Sequence, residues 1–151
     1  AAACIDNGLD VLTGGTDTHH LLIDLSIFYL SCRQAEKAIR DVGITINRNS
    51  LPFDKNGAWY TSGLRVGTPA ITTLGMGNNE MKEIASVFAK VLTNTTPDTI
   101  KRGKNAGSFS KANYNIAESI TNEAKSTVIN LLNNFPVYPE LDVEFMKRVF
   151  T

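Results

Sequence analysis

One stretch concentrates the side chains that could do chemistry: Thr61-Ser62-Gly63-Leu64-Arg65-Val66-Gly67-Thr68-Pro69-Ala70. Arg65 stands between two β-formers, Leu64 and Val66, which suggests a buried cation. A guanidinium among apolar neighbours is costly unless an anion meets it. Its planar fork matches a carboxylate bidentately, so Arg65 is a candidate for holding a substrate carboxylate. The competing reading is a structural arginine paired with an Asp or Glu of the same domain, and spacing alone favours it. Gly63 and Gly67 bracket the strand, and Pro69 sits where a helix can begin. The pattern predicts a short strand, a turn and a first helical turn.

Two other polar clusters precede it. Asp17, His19 and His20 lie at a turn and the start of a strand candidate. Adjacent histidines in a strand point to opposite faces, so they are poor joint ligands for one metal. Asp17 and His19 share a face and could hydrogen-bond, but no nucleophile is marked out beside them. A structural histidine fixing the turn is the favoured reading of His19. The second cluster, Asn47 to Asn56 (NRNSLPFDKN), is rich in turn residues and reads as an irregular loop. Asn49 within it reads as an Asx-turn residue. Trp59, the single tryptophan, could line a ligand groove or simply pack.

The elements that must position these residues follow from periodicity. Ala1 to Asp6 reads as the last turns of a helix closed by Asn7-Gly8, so the chain is expected to be cut from a longer one. Leu9 to Thr13 and His20 to Leu25 are strand candidates able to pair as a hairpin, the second apolar enough to be wholly buried. Ser26 to Ser31 has no assignment. From Arg33, apolar Ala35, Ala38, Ile39 and Val42 recur at helical steps until Gly43, and Ile44-Thr45-Ile46 alternates as a strand. Pro69 to Thr73 suits a short helix, and Asn78 or Asn79 can cap a longer one from Glu80 to Thr93, with Met81, Ile84, Phe88 and Val91 on its core stripe. Residues 95–109, with Lys101, Arg102 and Lys104, read as a flexible linker. Helices are expected over 110–151: a long one capped by Ser110 and running to about Asn133, then a short one begun by Asp142 after Pro136 and Pro139. Helices between short strands imply an α/β fold, an α+β two-layer sandwich with helices on one face of a small sheet.

The totals exclude several classes. The chain has 151 residues, 42% apolar and 20% charged, which is ordinary for one globular domain with a real core. Lys+Arg and Asp+Glu both number 15, so no bulk charge draws nucleic acid or an anionic membrane. No apolar run is long enough to cross a membrane. Cys4 and Cys32 lack metal-site spacing and read as free thiols in a reducing, cytoplasmic compartment.

Three segments, Gly14-Gly15-Thr16-Asp17-Thr18-His19, Gly43-Ile44-Thr45-Ile46-Asn47-Arg48-Asn49-Ser50 and the Arg65 segment, stand in the order and approximate spacing seen in serine hydroxymethyltransferases. The resemblance runs from about Gly8 to Leu92 and is to the C-terminal part of that family; Phe135-Pro136 also resembles its tail. It implies residues 1–8 as the end of an interdomain helix and 9–151 as the small C-terminal domain of an enzyme of the aspartate-aminotransferase type (fold type I). That enzyme would interconvert serine and glycine with pyridoxal 5'-phosphate, passing the one-carbon unit to tetrahydrofolate, and would form homo-oligomers. The resemblance assigns the substrate carboxylate to Arg65 and a folate contact to Asn49; Ser62 and Thr68 flank that site and are read as loop supports, not catalysts. His20 stands where the family usually has an aliphatic residue, Lys55 where it often has proline, and Gly57-Ala58-Trp59 where it often has a trio such as Ser-Pro-Phe. The cofactor lysine segment lies upstream in the family and nothing here resembles it, so no catalytic residue is assigned and the chain alone is expected to be inactive. A threonine-aldolase-like enzyme, an α-methylserine hydroxymethyltransferase and a free-standing binding or assembly module remain as alternatives.

Overall fold

The computed structural model describes residues 1–54, 56 and 59–150. Its centre is a four-stranded antiparallel sheet in the order β1-β2-β4-β3, where β1 is Asp10–Val11, β2 His20–Asp24, β3 Asn47–Asn49 and β4 Gly63–Gly67. Register pairs Leu22 with Arg65 on one side of β4 and Asn47 with Arg65 on the other. Directly opposed residues share a face. Leu21, Ile23 and Leu64 therefore turn into the core, while His20, Leu22, Arg65, Asn47 and Asn49 turn outward together.

Four of the helices lie in order along the chain: α1 Ala2–Asp6, α2 Cys32–Asp41, α3 Pro69–Thr73 and α4 Asn78–Thr93. Ala35, Ala38 and Ile39 of α2 and Val87, Phe88, Val91 and Leu92 of α4 join the inner face of the sheet in one buried cluster. Burial of this apolar surface is the main stabilising contribution. Glu36 of α2 pairs with Arg40 on its own helix and with Arg48 of β3 at 3.4 Å, which ties the short edge strand to the helix layer. The capping of α4 differs from expectation: Gly77 is the cap, and its N–H donates to the Glu80 carboxylate at 2.7 Å.

Several expectations need correction. Ile44 to Ile46 is not a strand; pairing begins at Asn47, inside the stretch read as an irregular loop. The apolar letters of 44–46 alternate because Ile46 is buried and Thr45 is not, and no backbone ladder is needed for that. The strand at His20–Asp24 is buried on one face only, so its near-continuous apolar character overstates its burial. β1 stops at Val11, and a 3-10 turn covers Leu12–Gly14. Ser26–Phe28 forms another such turn, followed by Tyr29 with a positive φ of 55°.

The largest correction concerns residues 95–115. They form a hairpin of β5 (Thr96–Thr99) and β6 (Phe109–Asn115), not a linker followed by a helix. The long helix α5 begins at Glu118 and runs to Asn134. Ser110 caps no helix; its hydroxyl instead accepts the N–H groups of Ala112 and Asn113 at 3.1 and 2.8 Å. A tertiary contact holds the hairpin. Gln34 of α2 is 1% exposed, and its amide donates to the carbonyls of Ser110 (2.6 Å) and Asn113 (2.8 Å). Its own carbonyl accepts the Ser31 N–H at 2.9 Å, so every polar atom of a buried amide is used. Ser31 adds a hydroxyl bond to the Lys111 carbonyl at 2.6 Å. The final helix α6, Val143–Phe150, starts beside Asp142 as expected: the Phe145 N–H donates to its carboxylate at 2.8 Å. No helix among the described residues is long and apolar enough to cross a membrane.

Two substitutions test this account. Gln34→Met keeps the length of the side chain and removes its donors. It is expected to cost about 1–3 kcal/mol in urea unfolding, since two hairpin carbonyls lose their partner, and to speed proteolysis within 100–108. Gly63→Ala would set a Cβ 2.5 Å from Leu51 Cδ2 and 2.8 Å from the Asn49 carbonyl oxygen. Backbone cannot swing aside as a side chain can, so a lowered Tm and a loss of about 1–3 kcal/mol are expected; an unchanged melting curve would show that β3 tolerates displacement.

Candidate functional site

Arg65 sits at the middle of the outer face and is exposed, not buried. The sequence suggested burial because Leu64 and Val66 flank it, but a strand alternates and those two residues face the other side. Among the described residues no carboxylate forms an ion pair with Arg65. The internal partner that spacing favoured is therefore not found among the described residues. A cleft of about 410 Å³ opens beside Arg65, lined by His19, His20, Thr45, Ile46, Asn47 and Gly67. Among the described residues its charged and titratable side chains are one guanidinium and two imidazoles, with no acid. Such a lining suits an anion.

Asn49 lies on the same face, opposite Gly63, and so diagonal to Arg65. Diagonal positions on an antiparallel pair are separated by roughly 7–8 Å. The Asn49 amide donates to the carbonyl of Ser50 at 2.7 Å, a local bond of the kind a turn asparagine makes. A ligand acceptor could replace that carbonyl by a side-chain rotation. Asn49 and Arg65 thus share one surface, although 15 residues separate them in the chain.

Ser62 and Thr68 are each tied to a neighbouring segment by hydrogen bonds. The Asp54 carboxylate accepts the Ser62 N–H at 2.7 Å and hydroxyl at 3.1 Å, the Asn56 N–H at 2.9 Å and the Leu51 N–H at 3.4 Å. Partial burial would raise its pKa, but these bonds to the charged form win, and the carboxyl is held below its usual range. Asn56 also donates to the Ser62 hydroxyl at 2.9 Å. This clamp pins the loop after β3 onto the start of β4. Thr68 closes the opposite end: its N–H (3.0 Å) and hydroxyl (3.3 Å) both donate to the His19 carbonyl.

The turn before β2 is organised by Thr16, whose hydroxyl donates to the His20 carbonyl at 2.7 Å and accepts the Thr18 N–H at 3.1 Å. No Asp17–His19 hydrogen bond forms among the described residues, and His19 contributes to the turn through its carbonyl. The two histidine rings do not part to opposite faces. They meet edge-on at 5.1 Å, because His19 precedes the strand and only His20 obeys its alternation. Among the described residues no group of three metal-ligating side chains occurs.

Sequence reasoning missed Asp54, whose signal was an Asp in a turn with a Ser downstream. It also missed a groove of about 670 Å³ between the sheet and the hairpin, walled by Tyr29, Tyr60 and Phe109. Lys111 lies over the Tyr60 ring, 5.4 Å from its centroid. That groove exists only because 95–115 folds as a hairpin. Trp59 is 73% exposed and lines neither cleft. Lys55, Gly57 and Ala58, where departures from the resembling pattern fall, lie outside the described residues.

Comparison with known proteins gives the family of the chain. A sequence model of serine hydroxymethyltransferase matches residues 1–88. The serine hydroxymethyltransferase of Treponema pallidum is 51% identical over 151 residues, which is 100% of this chain and 26% of the relative. That of Chlamydia muridarum is 51% identical over 138 residues, covering 91% of this chain and 27% of the relative. That of Chlamydia abortus is 50% identical over 137 residues with the same coverage, 91% and 27%. The chain spans about a quarter of the length of these relatives. The outward face of an antiparallel sheet, the Gly-Gly-Thr-Asp turn that abuts it and the arginine at its centre all fall within the matched residues, and the chain belongs to the serine hydroxymethyltransferase family.

Proposed function

We propose that this chain is the small C-terminal domain of a fold type I enzyme that interconverts serine and glycine, with tetrahydrofolate as one-carbon acceptor. The observation that carries the reading is Arg65: an exposed guanidinium, unpaired among the described carboxylates, at the centre of a polar sheet face beside a cleft with no acid among its described lining residues. An arginine kept only for structure would sit against an acid of its own domain. One held for a ligand leaves its fork open. The amino-acid carboxylate occupies that fork. Two parallel hydrogen bonds fix its plane and so the orientation of the α-carbon, which is what decides the bond that reacts.

Asn49 contributes an amide able both to donate and to accept, which suits the edge of a folate ring. The Asp54 clamp and the Thr68–His19 contacts hold the two ends of β4, so that Arg65 does not wander. Pyridoxal phosphate supplies the electron sink for this chemistry when bound. Its aldehyde requires a lysine amine, and the cleft beside Arg65 has none among the described residues. These residues fit a substrate carboxylate and not the cofactor, which is assigned to the portion of the family's length that this chain does not span.

Two variants of the full-length protein bearing this chain test the reading. Arg65→Lys replaces the fork by a point charge. Glycine and serine affinity should fall by roughly 10- to 100-fold, the equivalent of about 1.5–3 kcal/mol for a hydrogen bond to a charged group, with an unchanged circular dichroism spectrum. Near-normal glycine binding would remove Arg65 from the site. Asn49→Ala should raise the KM for tetrahydrofolate by roughly 5- to 10-fold, the loss of about one neutral hydrogen bond, and leave that for serine nearly unchanged. Equal weakening of both would mean that Asn49 shapes the loop and does not touch folate.

A further inference from the structure

His20 is exposed on the outer face, opposite Gly67 on β4, and so one diagonal step from Arg65. Because Gly67 has no side chain, nothing on β4 stands between the imidazole and the guanidinium. Both line the same cleft of about 410 Å³. The ring is oriented from behind, where Nδ1 lies 3.4 Å from the Thr18 hydroxyl. The diagonal spacing of roughly 7–8 Å is within reach of long and aromatic side chains, so one small anion can touch both groups.

We propose that His20 and Arg65 form one two-point anion site, in which the His20 imidazole provides a second, titratable contact to the carboxylate held by Arg65. The proposal rests on the reading of Arg65 as the carboxylate-binding residue and adds the regulation of that site by pH. The charges facing His20 are few. Its own strand carries Asp24 on the same face, four residues along, with Asp10 opposite Asp24 on β1. β4 brings Arg65. β3 brings only the amides of Asn47 and Asn49, since Arg48 turns to Glu36. The preceding turn brings Asp17 and His19, whose ring lies 5.1 Å away. The short helix α3 carries no charged side chain.

With Arg65 beside it, the imidazole gains from protonation mainly when an anion is present to meet both charges. Carboxylate binding therefore takes up a proton from solution, and affinity rises as pH falls.

The test uses the full-length protein bearing this chain and the probe 3-hydroxypropionate, which keeps the carboxylate and hydroxyl of serine and has no amine to condense with an aldehyde. Its Kd is measured by calorimetry from pH 6 to pH 8.5, in buffers of different ionisation enthalpy to count protons. The parent should bind roughly three- to fivefold tighter at the acid end, the scale of one exposed charge pair, with measurable proton uptake. His20→Leu should flatten that profile at the weak value and abolish the uptake. His20→Lys, always charged, should flatten it at the tight value. A His20→Leu profile that keeps the parent's slope, with Arg65→Lys weakened at every pH, overturns this proposal alone. Unchanged binding by Arg65→Lys overturns the reading of Arg65 and the two-point site with it.

Discussion

The structure depends on the register of β4 between β2 and β3. Side chains alternate along a strand, so a slip of one residue would carry Arg65 into the core and put Leu64 and Val66 in water. Leu64 is fully buried, against Ile23 on the neighbouring strand and the apolar faces of α2 and α4. The apolar burial on one side thus enforces the polar arrangement on the other. His20, Asn47, Asn49 and Arg65 share a surface because Leu21, Ile23 and Leu64 must share the opposite one.

Register alone does not hold the irregular pieces, and two polar nodes do. Asp54 gathers N–H groups from Leu51, Asn56 and Ser62, which a loop without secondary structure would otherwise leave to water. The loop is thereby laid against Gly63, where any larger residue would meet Leu51 and the Asn49 carbonyl. Gln34 does comparable work for the hairpin from inside helix α2, at greater stakes because it is buried. A buried amide whose partners were lost would cost more than the bonds themselves contribute. The same hairpin creates the groove walled by Tyr29, Tyr60 and Phe109, so a single side chain on α2 bears on a surface far from it in sequence.

The strong periodic elements were legible. The stripes of α2 and α4, the pairing of the strands at Asp10–Val11 and His20–Asp24, and the Pro69 start of α3 all follow from local spacing. So was the chemical type of Arg65 and Asn49, though not their setting: Arg65 was expected to be buried and is exposed. The hairpin at 96–115 was not legible. Its strands are polar, with Thr, Ser, Asn and Lys, and carry a proline and little alternation. Their partners are each other and a glutamine some 76 residues away, whose amide donates to a hairpin carbonyl. A pattern reader sees a basic, glycine-bearing segment and reads a linker, since a strand stabilised by one distant buried amide leaves no periodic trace.

By itself, the sequence determined which residues could meet an anion, which face of each helix is apolar, and which family the three ordered segments resemble. These are properties of residue type and short-range spacing. Tertiary structure alone decided that no carboxylate among the described residues pairs with Arg65, that His20 stands diagonal to it across Gly67, and that Asn49 falls on the same face. Each of these depends on strand order and register. Those are set by burial summed over the whole core, and no local stretch of residues contains that sum.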